Sequence, residues 1–102
     1  MQLIQILLPL YDNRKRAFPR SSFDEVRSEL TEKFGGVTAF VRSPAEGLWK
    51  QSKSKVSRDD LVMFEVLTDS LSRTWWTKYR KSLEKRFKQD EVVMLAMKVE
   101  KM

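Results

Sequence analysis

The order of elements legible in this 102-residue chain is βαββαβ, which predicts a single α+β domain of the ferredoxin-like kind over residues 1–102: a four-stranded antiparallel sheet with two helices on one face. Three observations carry that expectation. The chain opens on a short apolar run that Pro9 ends, it contains two helical stripes that each follow a polar capping candidate, and three further segments are rich in β-branched and aromatic residues.

Residues 2–8, QLIQILL, read as the first strand, with Ile4, Ile6 and Leu8 on one face and Leu3 and Leu7 on the other. Pro9 ends it because it has no amide hydrogen to donate. A helix is expected from Ser21, where Ser22 and Glu25 have the spacing of a capping box and Phe23, Val26, Leu30 and Phe34 form an apolar stripe. Gly35 and Gly36 suit the left-handed turn that closes such a helix. Residues 37–42 (VTAFVR) and 61–67 (LVMFEVL) are the second and third strands. The second helix, capped by Asp69 or Ser70, is expected to run to about Lys88. Its core stripe is Trp76, Tyr79, Leu83 and Phe87, with Lys78, Lys81, Lys85 and Lys88 opposite and Trp75 at the stripe's edge. Residues 91–99, EVVMLAMKV, form the last strand.

The first and last strands are apolar on both sides, and strands of that kind are covered on both sides. With helices on one face, the other calls for a partner, and a homodimer packed sheet against sheet is expected. A chain of this length has a modest core, so self-association also helps to stabilise it.

Composition removes several chemistries. With no Cys and no His there are no disulfides, thiol nucleophiles, Cys/His zinc sites or Ser-His-Asp triads, and the side chain best suited to proton transfer at neutral pH is missing. No metal or cofactor is expected; Asp59 and Asp60 read as a loop end rather than a metal pair. The N-terminal MQLIQILLPL lacks the basic start and cleavage site of a signal peptide, and no stretch is long enough to span a bilayer. The expected setting is the cytoplasm, without membrane contact.

Net charge is +6, and its placement matters more than its size. Residues 9–21 carry a net +3 and residues 42–58 a net +4, so the remainder is slightly negative. In the expected topology both loops leave the same end of the sheet. Clustered guanidinium and ammonium groups attract phosphate or carboxylate, and Arg42, at a strand end, is the best placed for a bidentate contact. The candidate ligand-binding set is Arg14, Arg16, Arg42 and Lys50, walled by Tyr11 and Trp49. SPAEGLWK is expected to be ordered and QSKSKVSR mobile. A solvated basic rim and a loop-anchoring Trp49 are the simpler explanations of the same residues.

The chain resembles a group of small uncharacterised bacterial proteins that share an FGGxTAFxRxPAEGLWK segment, here Phe34 to Lys50. In that group an apolar strand led by two Asp follows, here Asp59 to Val66, and then a WWxxYR helix, here Trp75 to Arg80. The resemblance implies a bacterial setting and no particular activity. In architecture the chain is similar to the dimeric α+β barrel proteins, some of which are cofactor-independent monooxygenases and isomerases.

Three functions compete. The leading one is a small cytosolic homodimeric binding module for an anionic small molecule at the end formed by loops 9–21 and 42–58. A cofactor-independent enzyme of the dimeric-barrel kind would work between sheet and helices with Tyr79, Glu65 or Trp75 near its substrate. Glu65 lies among apolar neighbours, and an ion pair with Arg42 or Lys98 is the simpler expectation for it. RNA or DNA binding ranks lower, because the strands lack the aromatic-rich pattern that stacks bases.

Overall fold

The structure is a computed structural model and describes residues 1–42 and 60–102. Six elements follow in the order β1 (Gln2–Pro9), α1 (Arg20–Phe34), β2 (Thr38–Arg42), β3 (Leu61–Thr68), α2 (Arg73–Arg86) and β4 (Val93–Lys98). The sheet order is β2-β3-β1-β4 and every pairing is antiparallel. This is the ferredoxin-like α+β fold that the element order predicts.

β1 lies inside the sheet, paired with β3 from Gln2 opposite Thr68 to Pro9 opposite Leu61, and with β4 from Gln2 opposite Lys98 to Leu7 opposite Val93. Its alternation sorts the two faces. Ile4, Ile6 and Leu8 are buried beside Val62, Phe64 and Val66 of β3 and join the side chains that the helices contribute, Val26 and Leu30 from α1 and Trp76, Tyr79 and Leu83 from α2. Phe87, just past α2, fills the centre, with its ring 5.1 Å from Phe18 and 5.3 Å from Phe23.

The opposite face carries Leu3, Gln5 and Leu7 of β1, with the residues that β1 and β3 pair against them on the neighbouring strands. Phe40, Leu67, Val93, Leu95 and Met97 on this face are 39–48% exposed. At its middle Glu65 accepts a hydrogen bond from Gln5 Nε2 at 2.6 Å. The expected partners of Glu65 were Arg42 or Lys98. The register instead places it opposite Gln5 and Thr38, four rungs from Arg42 and three from Lys98, so the neighbouring amide is the group within reach.

Four element ends differ from expectation, each for a local reason. α1 starts at Arg20 with Pro19 as the residue before it (φ −65°, ψ 150°) and with no side-chain cap, so Ser22 lies inside the first turn and the Ser22/Glu25 capping box does not form. α2 is capped by Ser72, whose Oγ accepts from the Trp75 amide at 3.3 Å, because the chain at Thr68–Ser70 turns on itself through a Thr68 Oγ1 bond to the Ser70 carbonyl. The helix ends at Arg86, since Lys88 takes a left-handed φ of 51°. β4 begins at Val93 rather than Glu91, because the Val92 amide is held by Glu84 Oε2 at 3.1 Å and so points at α2 instead of a strand. Gly35 does close α1, with φ 86° and its amide bonded to the Thr31 carbonyl at 2.7 Å.

A polar clasp joins the helices. Glu29 accepts from the Tyr79 hydroxyl at 2.7 Å and from Arg86 at 3.0 Å, and Arg86 also reaches Glu25 at 3.4 Å. Next to it Trp75 stacks on Tyr79 at 4.9 Å and Trp76 stacks on Phe34 at 5.1 Å, while the Lys33 ammonium lies 5.0 Å from the Trp75 ring. Burial, and then the Glu29 carboxylate, pushes the Tyr79 phenol well above its ordinary pKa of 10.0.

The sign of that shift sets an expectation for stability at alkaline pH. An unfolded chain releases the phenol proton near pH 10 while the folded one keeps it, so the contribution of Tyr79 is complete below about pH 10 and is lost as pH rises beyond it. Tyr79→Phe removes one hydrogen bond and is expected to lower stability by about 1 kcal/mol at neutral pH. It should also flatten the decline above pH 10. Urea melts of both proteins from pH 7 to 11 check this, and parallel curves would show that the phenol plays no part.

Candidate functional site

The register brings together the two chain segments that the charge distribution singles out. Leu61 pairs with Pro9 on one side and with Arg42 on the other, so loop 10–19 and the chain after β2 leave the sheet at the same end, on either side of β3. The Leu10 amide bonds to the Asp60 carbonyl at 3.1 Å, which ties the start of the first loop to the end of the second.

Loop 10–19 is a built turn. Tyr11 and Ala17 face each other in a short antiparallel bridge, the Phe18 amide returns to the Leu10 carbonyl, and the Asp12 amide to the Arg16 carbonyl. Asp12 holds its tip: Oδ1 accepts from the Arg14 and Arg16 amides at 2.8 and 2.9 Å, and Oδ2 sits 3.5 Å from Arg16 Nε. Those bonds, the Arg16 amide foremost, keep the Asp12 carboxyl below its ordinary pKa. Lys15 takes the left-handed φ of 64° that the turn requires.

Of the expected site residues, Tyr11, Arg14 and Arg16 stand on this turn and are exposed, and Arg16 is partly neutralised by Asp12. Arg42 is the last residue of β2. Trp49 and Lys50 lie outside the described residues, as do the expected order of SPAEGLWK and mobility of QSKSKVSR.

A cleft of about 350 Å³ opens at this same end, between α1 and the β2 edge. Phe18, Phe23, Val62 and Phe64 supply apolar walls, and Ala39 and Phe40 supply the β2 side. Arg20, Asp24 and Arg27 line it from exposed positions on α1. Arg20 and Arg27 are seven residues apart, about 10 Å or two helical turns, with Asp24 between them. Among the described residues none of the three is in an ion pair. Arg42 stands two residues beyond Phe40 on β2, about 7 Å along the strand.

Chemically the cleft offers an aromatic and aliphatic pocket with two guanidiniums beside it, the pattern that takes an anion with an apolar body. Phe18, Phe23 and Arg27 did not stand out in the sequence as ligand contacts, although Arg20, Phe23 and Arg27 have the i, i+3, i+7 spacing of one helix face.

Tyr79, Glu65 and Trp75 are not brought together. Tyr79 and Trp75 are packed in the aromatic cluster on the helix side, and Glu65 projects from the opposite face of the sheet. Among the described residues no group of three or more acidic side chains is arranged to hold a metal ion, and no helix is long and apolar enough to cross a membrane.

Asp12→Ala is expected to accelerate hydrogen exchange at the Arg14 and Arg16 amides, leaving exchange in β1 and β3 unchanged. In the unaltered protein the same two amides keep their protection above the ordinary carboxyl pKa of 3.8 and lose it as pH falls through the lowered value. Residue-resolved exchange by NMR reads both effects.

Comparison of the chain with known protein families, with curated proteins and with solved structures finds no match, so the architecture and the cleft stand on this chain's own residues.

Proposed function

We propose that this chain is a homodimeric binding module for a small anionic molecule, a carboxylate or phosphate carrying an apolar body, seated in the cleft between α1 and the β2 edge. The observation that carries the reading is the cleft itself: aromatic walls beside two arginines that have no acidic partner among the described residues, at the end of the sheet where the basic loops emerge. Its volume falls within the range of small-molecule sites. The apolar body lies against Phe18 and Phe23 and the anionic group faces Arg20 and Arg27, with the Arg14–Arg16 turn adding to the positive field. Asp24 opposes the anion, so the mouth is tuned for moderate affinity.

The dimer half of the reading rests on the open face of the sheet. Large apolar side chains exposed singly are ordinary, but here five lie together on one face around the Gln5–Glu65 pair. Four strands about 4.8 Å apart and some 20 Å long give a footprint of about 400 Å² per copy, or about 800 Å² across both, before side-chain relief is counted, which places the contact at the small end of protein interfaces. A second copy matches it by symmetry, each apolar patch meeting its own equivalent. The setting that goes with this reading is a bacterial one, as the resemblance of the FGGxTAFxRxPAEGLWK segment implies, and the cytoplasm, the compartment expected from the N-terminal MQLIQILLPL, which lacks a signal-peptide pattern.

A thermal-shift and calorimetric screen of aromatic and aliphatic carboxylates and phosphates tests the ligand. A binder is expected to raise the melting temperature. Arg27→Ala should weaken it about tenfold, and Asp24→Asn should strengthen it severalfold through removal of the opposing charge. Absence of any binder, or equal affinity in all three proteins, overturns the ligand reading. For the dimer, sedimentation should give twice the mass of the 12.1 kDa chain, and Leu95→Asp should give single chains that remain folded. A single-chain mass for the unaltered protein at micromolar concentration removes that half.

A further inference from the structure

α2 holds six basic residues against Glu84 alone, whereas α1 carries three basic and four acidic. The faces of α2 are otherwise committed. Trp76, Tyr79 and Leu83 are buried in the core, Arg86 is clasped to Glu25 and Glu29, and Arg80 is paired with Glu84 at 3.1 Å on the flank toward β4. What remains is an outer stripe, Thr74, Lys78, Lys81 and Lys85, every member exposed. None of these lysines has an acidic partner among the described residues.

The spacing makes the stripe unusual. Lys78, Lys81 and Lys85 follow one another at i+3 and i+4, so each ammonium is the neighbour of a like charge, an arrangement that destabilises a helix. The position of Lys85 in the last turn, where a helix end favours a cation, offsets it in part, but among the described residues no ion pair does. On α1 the exposed positions mix signs, with Asp24 between Arg20 and Arg27.

We infer that the outer face of α2 docks the phosphate backbone of a nucleic-acid duplex. The three lysines span about 10 Å of helix, and a duplex presents one negative charge per about 1.7 Å of its axis, so several phosphates lie within reach of the stripe. The residue types select this partner over other polyanions. A lipid surface requires apolar side chains to enter it, and the apolar side of α2 is consumed by the core. A single strand is held by aromatic stacking, and Trp75, Trp76 and Tyr79 are engaged with one another and with Phe34. Lysine ammonium groups on a helix read charge and shape, so the docking is indifferent to sequence. This site is distinct from the α1 cleft and uses none of its residues.

Fluorescence anisotropy with labelled duplex DNA and duplex RNA, the matching single strands, and phosphatidylserine vesicles tests it. A duplex is expected to bind at about 50 mM salt, with a log–log salt slope of about −3 from three neutralised phosphates. Lys78→Glu/Lys81→Glu/Lys85→Glu should weaken binding at least tenfold, while Arg20→Ala/Arg27→Ala changes it less than twofold. The corresponding triple Gln variant serves as the folding control; it should melt no lower than the unaltered protein, because it relieves the repulsion, and should still lose most of its affinity. No duplex binding at low salt, unaltered binding by the triple variants, or binding to vesicles or single strands in preference to both duplexes overturns the proposal.

Discussion

The placement of β1 inside the sheet is the constraint on which the rest of this structure depends. It is one of two inner strands, paired with β3 on one side and β4 on the other, and its period-two alternation decides what each face of the sheet becomes. Ile4, Ile6 and Leu8 anchor the helices, whereas Leu3 and Leu7 commit the other face to apolar exposure. A slip of one residue in its register would exchange the two sets, so Gln5 would meet the core and Ile4 and Ile6 would face outward. The long ladder to β3 makes that slip costly, and the same ladder carries Pro9 to Leu61 and hence loop 10–19 to the end of β2. The position of the candidate site is therefore a consequence of strand pairing rather than of the loop sequences.

The helix layer is tied by different means. Aromatic stacking and the Glu29 clasp couple α1 to α2 at one side, and the Glu84 side chain couples α2 to the start of β4 at the other. On the remaining side, between α1 and β2, no comparable bond is formed among the described residues, and that is where the cleft opens. The packing thus divides the protein into a well-tied half around α2 and a looser seam at the β2 edge. Adjustment to a ligand is least costly at such a seam, because few buried contacts must be rearranged there.

What could be read from the sequence follows the range of the interactions involved. Alternation and helical stripes are local, and they yielded the six elements, the faces of β1 and the core roles of Trp76, Tyr79 and Leu83. The convergence of the two loops followed from topology alone. Helix starts were less legible, because Ser22, Asp69 and Ser70 are all adequate caps in isolation, and the choice of Pro19 and Ser72 depends on where the preceding turns release the chain. Glu65 was assigned a charged partner when the register gives it Gln5. The cleft was hardest to foresee: its walls come from loop 10–19, α1, β2 and β3, and only their packing makes Phe18 and Phe23 neighbours of Ala39. The spacing of Arg20, Phe23 and Arg27 was the local trace of it.

The pairing of Gln2 with Lys98 has a consequence for how the chain is made. Synthesis releases β1 before the other five elements, so this inner strand emerges with both edges open and acquires its second neighbour only after β4, the sixth element, has followed. Until then β1 and β3 form a sheet with an unpaired apolar edge, the kind of surface that recruits other nascent chains. Sequence separation of this size between paired strands also slows closure. The docking of β4 completes this sheet, and the interval before it is when a chaperone would have most to protect.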